Sequence, residues 1–167
     1  MENSKEKNLI KECKQIEEDS LYTAEVHHII YHRLIVKAFW FKLIPPLITV
    51  LSALSLLIGA PNWVSWITMF SGLITITSVF LEPEKKAKEH LFAARNFTVL
   101  KHEARSLHET FKDFLDTKSF FQEVKRLREK YNLLVTTTPP TDDEKAWEKA
   151  RQRIKSGVHK ADFRENE

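Results

Sequence analysis

LIPPLITVLSALSLLIGAPNWVSWITMFSGLITITSVFL, residues Leu43 to Leu81, contains no charged side chain. At about 1.5 Å per residue it would be roughly 58 Å long as one helix, close to two crossings of a ~30 Å hydrocarbon layer. Gly59-Ala60-Pro61-Asn62 supplies a break near its centre, because Gly59 can end a helix in a left-handed conformation and Pro61 cannot continue one. Trp63 and Trp66 follow the turn, and Phe39, Trp40 and Phe41 form a matching aromatic girdle at the other end. The stretch predicts a transmembrane hairpin, residues 43–58 and 63–81. The competing reading, a hairpin buried in a soluble helical core, would require two charge-free runs of about 18 residues back to back, which soluble cores rarely hold.

Outside the hairpin the composition changes. The mean hydropathy of −0.35 averages an apolar centre with flanking arms rich in Lys, Glu and Arg. The net charge of +3 is too small, and too interleaved with acidic residues, to imply a nucleic-acid partner. Cys13 is the only cysteine, which excludes an intramolecular disulfide and a cysteine-based zinc site. The first forty residues lack the apolar core of a signal peptide, so residues 43–58 are expected to serve as an uncleaved insertion signal. Arg33, Lys37 and Lys42 precede the first span, Lys85, Lys86 and Lys88 follow the second, and the connecting turn is uncharged. The positive-inside tendency then places both termini in the cytoplasm.

The arms read as helices, giving an all-α protein. Ser4–Phe41 has no proline or glycine and carries an apolar stripe through Leu9, Cys13, Ile16, Ser20, Ala24, Tyr31, Leu34 and Ala38. Pro45 and Pro46 lie just inside the first span and are candidates for a kink or a hinge. Pro83 suits the first position of the next helix, with Glu84 at its positive end. That helix is expected to run through Phe114. A turn at residues 116–118 follows, then a helix from a Ser119/Gln122 capping box to about Leu134, a linker at 136–140, and a short helix capped by Thr141 with Glu144 and stopped by Gly157. The expected divisions are 1–42, an N-terminal cytoplasmic helix; 43–81, the hairpin; 82–135, C-terminal cytoplasmic helices; and 136–167, a linker, short helix and disordered end.

Folding the chain about its tight turn brings residues whose numbers sum to about 121 to similar heights. Glu25 then meets Arg95, Asp19 meets Lys101, and Glu18 lies near Arg105, as in an antiparallel coiled-coil-like stalk. Exposed pairs of this kind set register more than stability.

Catalytic chemistry is sparse. Three glycines form no phosphate-cradling loop. His28 and His32 stand four apart on a helix, but no carboxylate completes a metal set. No enzyme activity and no cofactor are expected. The informative polar groups lie inside the apolar stretch: Thr49, Ser52, Ser55 and Gly59 recur at helical spacing on the first span. Thr68, Ser71, Thr75 and Ser78 do so on the second, with Gly72 beside them. Both close helix packing through small residues and a water-lined pore face fit this pattern. The absence of an ionisable group between Leu43 and Leu81 argues against coupled transport.

The run from Glu12 to His27, ECKQIEEDSLYTAEVH, leading into a two-span hairpin and a long helix, resembles the SLATT domains of bacteria, over roughly residues 8–135. The resemblance rests on architecture and a degenerate helical pattern. It implies a multi-pass protein of the bacterial inner membrane, an effector of antiphage or abortive-infection defence. Such an effector oligomerises and disrupts the bilayer when triggered by a separate sensor or a nucleotide-signal synthase. The alternatives are a membrane-anchored adaptor whose stalk recruits a partner, and a small ion-channel subunit.

Overall fold

The computed structural model describes residues 2–59 and 61–157, with the side chains of residues 2–3 and 78–81 left aside. Five α-helices and one 3-10 turn account for the ordered elements: α1 Glu2–Leu57, α2 Trp63–Leu81, α3 Pro83–Glu109, the 3-10 turn Phe111–Phe114, α4 Thr117–Thr137 and α5 Glu144–Lys155. No strand occurs among the described residues, so the protein is all-α.

Helix α1 differs from the sequence expectation in being continuous. The N-terminal arm and the first apolar segment form one helix of 56 residues that runs through Pro45 and Pro46. Two neighbouring prolines remove only the donors to two carbonyls of the preceding turn, and the rest of the ladder carries the helix across. The break falls where glycine permits it. Gly59 has φ +85°, its N–H bonds to the Leu56 carbonyl, and α2 begins at Trp63 with bonds from the Val64 and Ser65 amides to Pro61 and Asn62. Pro83 opens α3 as expected, after Glu82 in a left-handed turn (φ 40°).

Four element boundaries are corrected. Helix α3 ends at Glu109, and Phe111–Phe114 is a separate 3-10 turn rather than its last α-turn. Asp116, not Ser119, caps α4, because its carboxylate accepts from the Lys118 amide at 3.3 Å. Helix α4 also extends to Thr137, where the Thr136, Thr137 and Thr138 hydroxyls bond back to carbonyls of its last turn. Asp143, not Thr141, caps α5 by accepting from the Ala146 amide at 3.0 Å. Thr141 instead offers its carbonyl to the Trp147 indole N–H at 2.7 Å. Gly157, at φ +81°, follows the end of α5. The expectation of a disordered end beyond it lies outside the described residues.

The chain forms two compact units, one of residues up to 30 together with those from 89 on, the other of residues 31–88. In the first, Cys13 and Ile16 of α1 pack with Leu100, Ala104 and Leu107 of α3 and with Phe120, Val124 and Leu127 of α4. The α4 positions recur every three or four residues, which turns one face of that helix onto the other two. Helix α5 covers a different part of α1, setting Ala146, Ala150 and Trp147 against Val26, Ile29 and Ile30. Contacts between α1 and α3 fall close to the register expected from folding the chain about its turn: His27 lies beside His90, and Glu17 beside His108.

In the second unit the hairpin turns most of its large side chains outward. Leu57 is 83% exposed, Ile58 87%, and Trp63 and Trp66 61% each. Among the described residues one helix, α1, is long and apolar enough to cross a membrane by length and composition, and 11% of its most apolar stretch is buried within the chain.

Candidate functional site: a hydroxyl cluster within the apolar hairpin

The buried positions of the 31–88 unit are small. On α1 they are Ala38, Pro45 and Ser52, seven residues apart, and on α2 Val64 and Ser71, again seven apart. That spacing holds one seam of each helix toward its neighbour, and the small side chains let the backbones approach. Hydroxyls converge in the seam. The Ser71 hydroxyl donates to the Pro45 carbonyl at 2.5 Å, and Thr49 Oγ1 lies 3.0 Å from both that carbonyl and Ser71 Oγ. The Ser71 proton is committed to Pro45, so Thr49 shares its single proton between the two oxygens. Removing the amide donors of Pro45 and Pro46 loosens the turn locally. The carbonyls that lose their donors are those of Phe41 and Lys42; the two hydroxyls bond the Pro45 carbonyl instead and tie α1 to α2.

The remaining hydroxyls spend their protons inside their own helices. Ser55 donates to the Leu51 carbonyl, Thr68 to Val64 and Thr75 to Ser71, at 2.9, 3.3 and 3.0 Å. Gly72 has nothing within 4 Å of where a Cβ would sit, so its lack of a side chain serves no contact inside the chain. Thr68, Gly72 and Thr75 share one face of α2 by their spacing of four and three. The Ser78 side chain lies outside the described ones. The sequence candidates thus divide in two: Thr49, Ser52 and Ser71 sit in the intrachain seam, while Ser55, Thr68, Gly72 and Thr75 do not close it.

In the other unit, α1 is tied to the rest by ion pairs of Glu12 with Arg128 and Glu25 with Arg153 and by a hydrogen bond between Glu17 and His108. Two of these reach α4 and α5 rather than α3. The charge partner of Glu25 is on α5, at 2.6 Å, and Arg95 is exposed. Lys101 lies in the field of Glu17, and burial holds its pKa below the ordinary lysine value. Asp19 lies near the Tyr131 phenol.

Sequence reasoning singled out His28 and His32 and passed over His27 and His90. These two are buried, with their Nδ1 atoms 2.8 Å apart and the His27 ring stacked on Phe97. One ring donates to the other, which requires an unprotonated acceptor. Burial, then the neighbouring His90 and His28, push His27 down to about 4, and burial lowers His90 as well. The signal was present only in the register: folding the chain about its turn brings positions 27 and 90 to nearly the same height. Burial also pushes the Cys13 thiol up to about 11, which leaves it a weak nucleophile among core side chains. Among the described residues no group of three or more His, Cys, Asp or Glu is arranged to hold a metal ion.

Comparison with known protein families, with curated proteins and with solved structures yields no match.

Proposed function

We propose that the chain is a two-span membrane protein of the bacterial inner membrane whose oligomers permeabilise the bilayer as a defence effector. The observation that carries the membrane part is the outward apolar surface of residues 43–77, on which Leu43, Leu47, Leu54, Trp66, Phe70 and Leu73 are all about half exposed. An uninterrupted apolar surface of this extent is costly in water and neutral in lipid. In that reading the two spans form a hairpin, both termini are cytoplasmic, and the α1–α3 pair with α4 forms the stalk.

Oligomerisation through α2 is supported by the face of Thr68, Gly72 and Thr75, where the open space at Gly72 would admit a neighbouring helix. A separate sensor or nucleotide signal is the expected trigger, and rearrangement about Pro45, Pro46 and Pro83 is the expected response. Expression in cells followed by triggering should collapse membrane potential and admit impermeant dye. A triggered protein that leaves both unchanged refutes the effector reading.

An adaptor is the second reading, favoured by the use of Thr49 and Ser71 inside the chain rather than on a pore face. A groove of about 400 Å³ between α3 and α4, floored by Leu107, Phe111 and Leu127, offers such an adaptor a docking place. Replacing residues 43–81 by an unrelated two-span anchor separates the two: an adaptor keeps its function and a pore loses it.

A further inference from the structure

The geometry points to a binding surface for anionic phospholipid headgroups at the charged end of the 31–88 unit. This rests on the membrane reading above and goes beyond it by naming the lipid class. Residues 31–88 carry six cations, Arg33, Lys37, Lys42, Lys85, Lys86 and Lys88, against two carboxylates, Glu82 and Glu84, and all eight lie outside the apolar stretch. Both carboxylates are spoken for: Glu84 pairs with Lys42 and Glu82 with Lys85. Lys37, Lys86 and Lys88 are exposed and form no salt bridge within 4 Å among the described residues, Lys88 lying in the field of Glu84.

Their placement is fixed by two alanines. Ala38 and Ala87 are each fully buried, and the Lys42–Glu84 pair lies one turn further along both helices, so the two alanines stand at the same level of the α1–α3 contact. Small residues there allow a close approach of the backbones. Lys37 on α1 and Lys86 and Lys88 on α3 therefore flank one narrow helix–helix contact. Lys86 and Lys88 stand on opposite sides of Ala87, so each side of the contact offers a cation to an anionic headgroup, and Lys37 adds a second on one of them. Phe39, Trp40 and Phe41 follow at once, each about half exposed, and lead into the apolar surface. Cations beside interfacial aromatic rings at the head of an apolar hairpin match a phosphodiester whose acyl chains run along that hairpin. A free phosphate would use the cations and leave the adjoining aromatic surface unused.

The test uses the full chain in nanodiscs with equal trace amounts of phosphatidylglycerol and phosphatidylcholine, measuring the lipid retained on the protein after detergent exchange. Wild type should retain the anionic lipid preferentially. The variant K37Q/K86Q/K88Q should lose about fivefold of that preference per lysine, or about a hundredfold in all. The control K118Q/K145Q/K149Q, with the same charge change in the other unit, should keep it. Equal retention of both lipids by wild type overturns the inference, as does an equal loss in the control. Abolition of the preference by inorganic phosphate, but not by chloride at matched ionic strength, overturns it in favour of a free-phosphate site. A chain that enters no bilayer fails earlier and overturns the membrane reading itself.

Discussion

Acidification should destabilise the 1–30/89–157 unit through the buried His27–His90 pair. Unfolded, His27 titrates at 6.5; folded, at about 4. Above pH 6.5 both states are neutral and the pair contributes fully. As pH falls from 6.5 toward 4 the unfolded chain takes up a proton that the folded chain refuses, and stability is lost. At pH 5 the loss from His27 is about 2 kcal/mol, at ~1.4 kcal/mol per unit of pH. His90 adds to it in the same direction, although Glu89 partly opposes the lowering of its pKa. For a chain of this size that loss corresponds to a fall of about 4–8 °C in Tm. The assay is thermal unfolding of the detergent-solubilised full chain at pH 7.5 and pH 5, for wild type and for H27Q/H90Q. Glutamine does not titrate, so the pH-dependent difference between the two proteins isolates the pair from the other histidines. The wild type should lose about 4–8 °C more than the variant between these conditions. Parallel pH profiles would refute the reasoning that the pair is held neutral by burial.

Two further outcomes follow from single contacts. In S71A/T49V the Pro45 carbonyl loses both hydroxyl donors, and the hairpin should be destabilised by about 1 kcal/mol, read as a lower thermal midpoint in detergent; an unchanged midpoint would mean the cluster is idle. Arg153→Ala removes the α5 cation paired with Glu25, whose own side chain is 4% exposed, and should cost about 1–2 kcal/mol, with the solvent exposure of Arg153 holding the loss below that of a fully buried pair. The readout is faster proteolysis within residues 138–143, between α4 and α5; E25Q/R153M should recover part of the protection, and equal cleavage of all three proteins would count against a latch.

The local elements were legible where one residue type dictates the backbone. Gly59 and Pro61 set the turn, Pro83 opened α3 and Gly157 followed α5, because proline and glycine narrow or widen the allowed φ more than any neighbour can override. Caps were less legible. Asp116 and Asp143 each lie within three residues of a hydroxyl residue that caps about as well, and the winner depends on which side chain reaches a free amide. Continuity through Pro45 and Pro46 was also hidden, since proline lowers helix stability locally while the hydroxyl that ties this turn to α2 comes from Ser71, 26 residues away.

Sequence alone determined the helical class, the apolar double segment and the nearly charge-balanced arms, because these follow from side-chain chemistry and short-range periodicity. Tertiary structure decided which hydroxyls face the seam, that α4 completes the core of α1 and α3, that Glu25 pairs with α5, and that His27 meets His90. Each of those depends on rotations of helices distant in sequence, and a residue's neighbours along the chain carry no record of that angle.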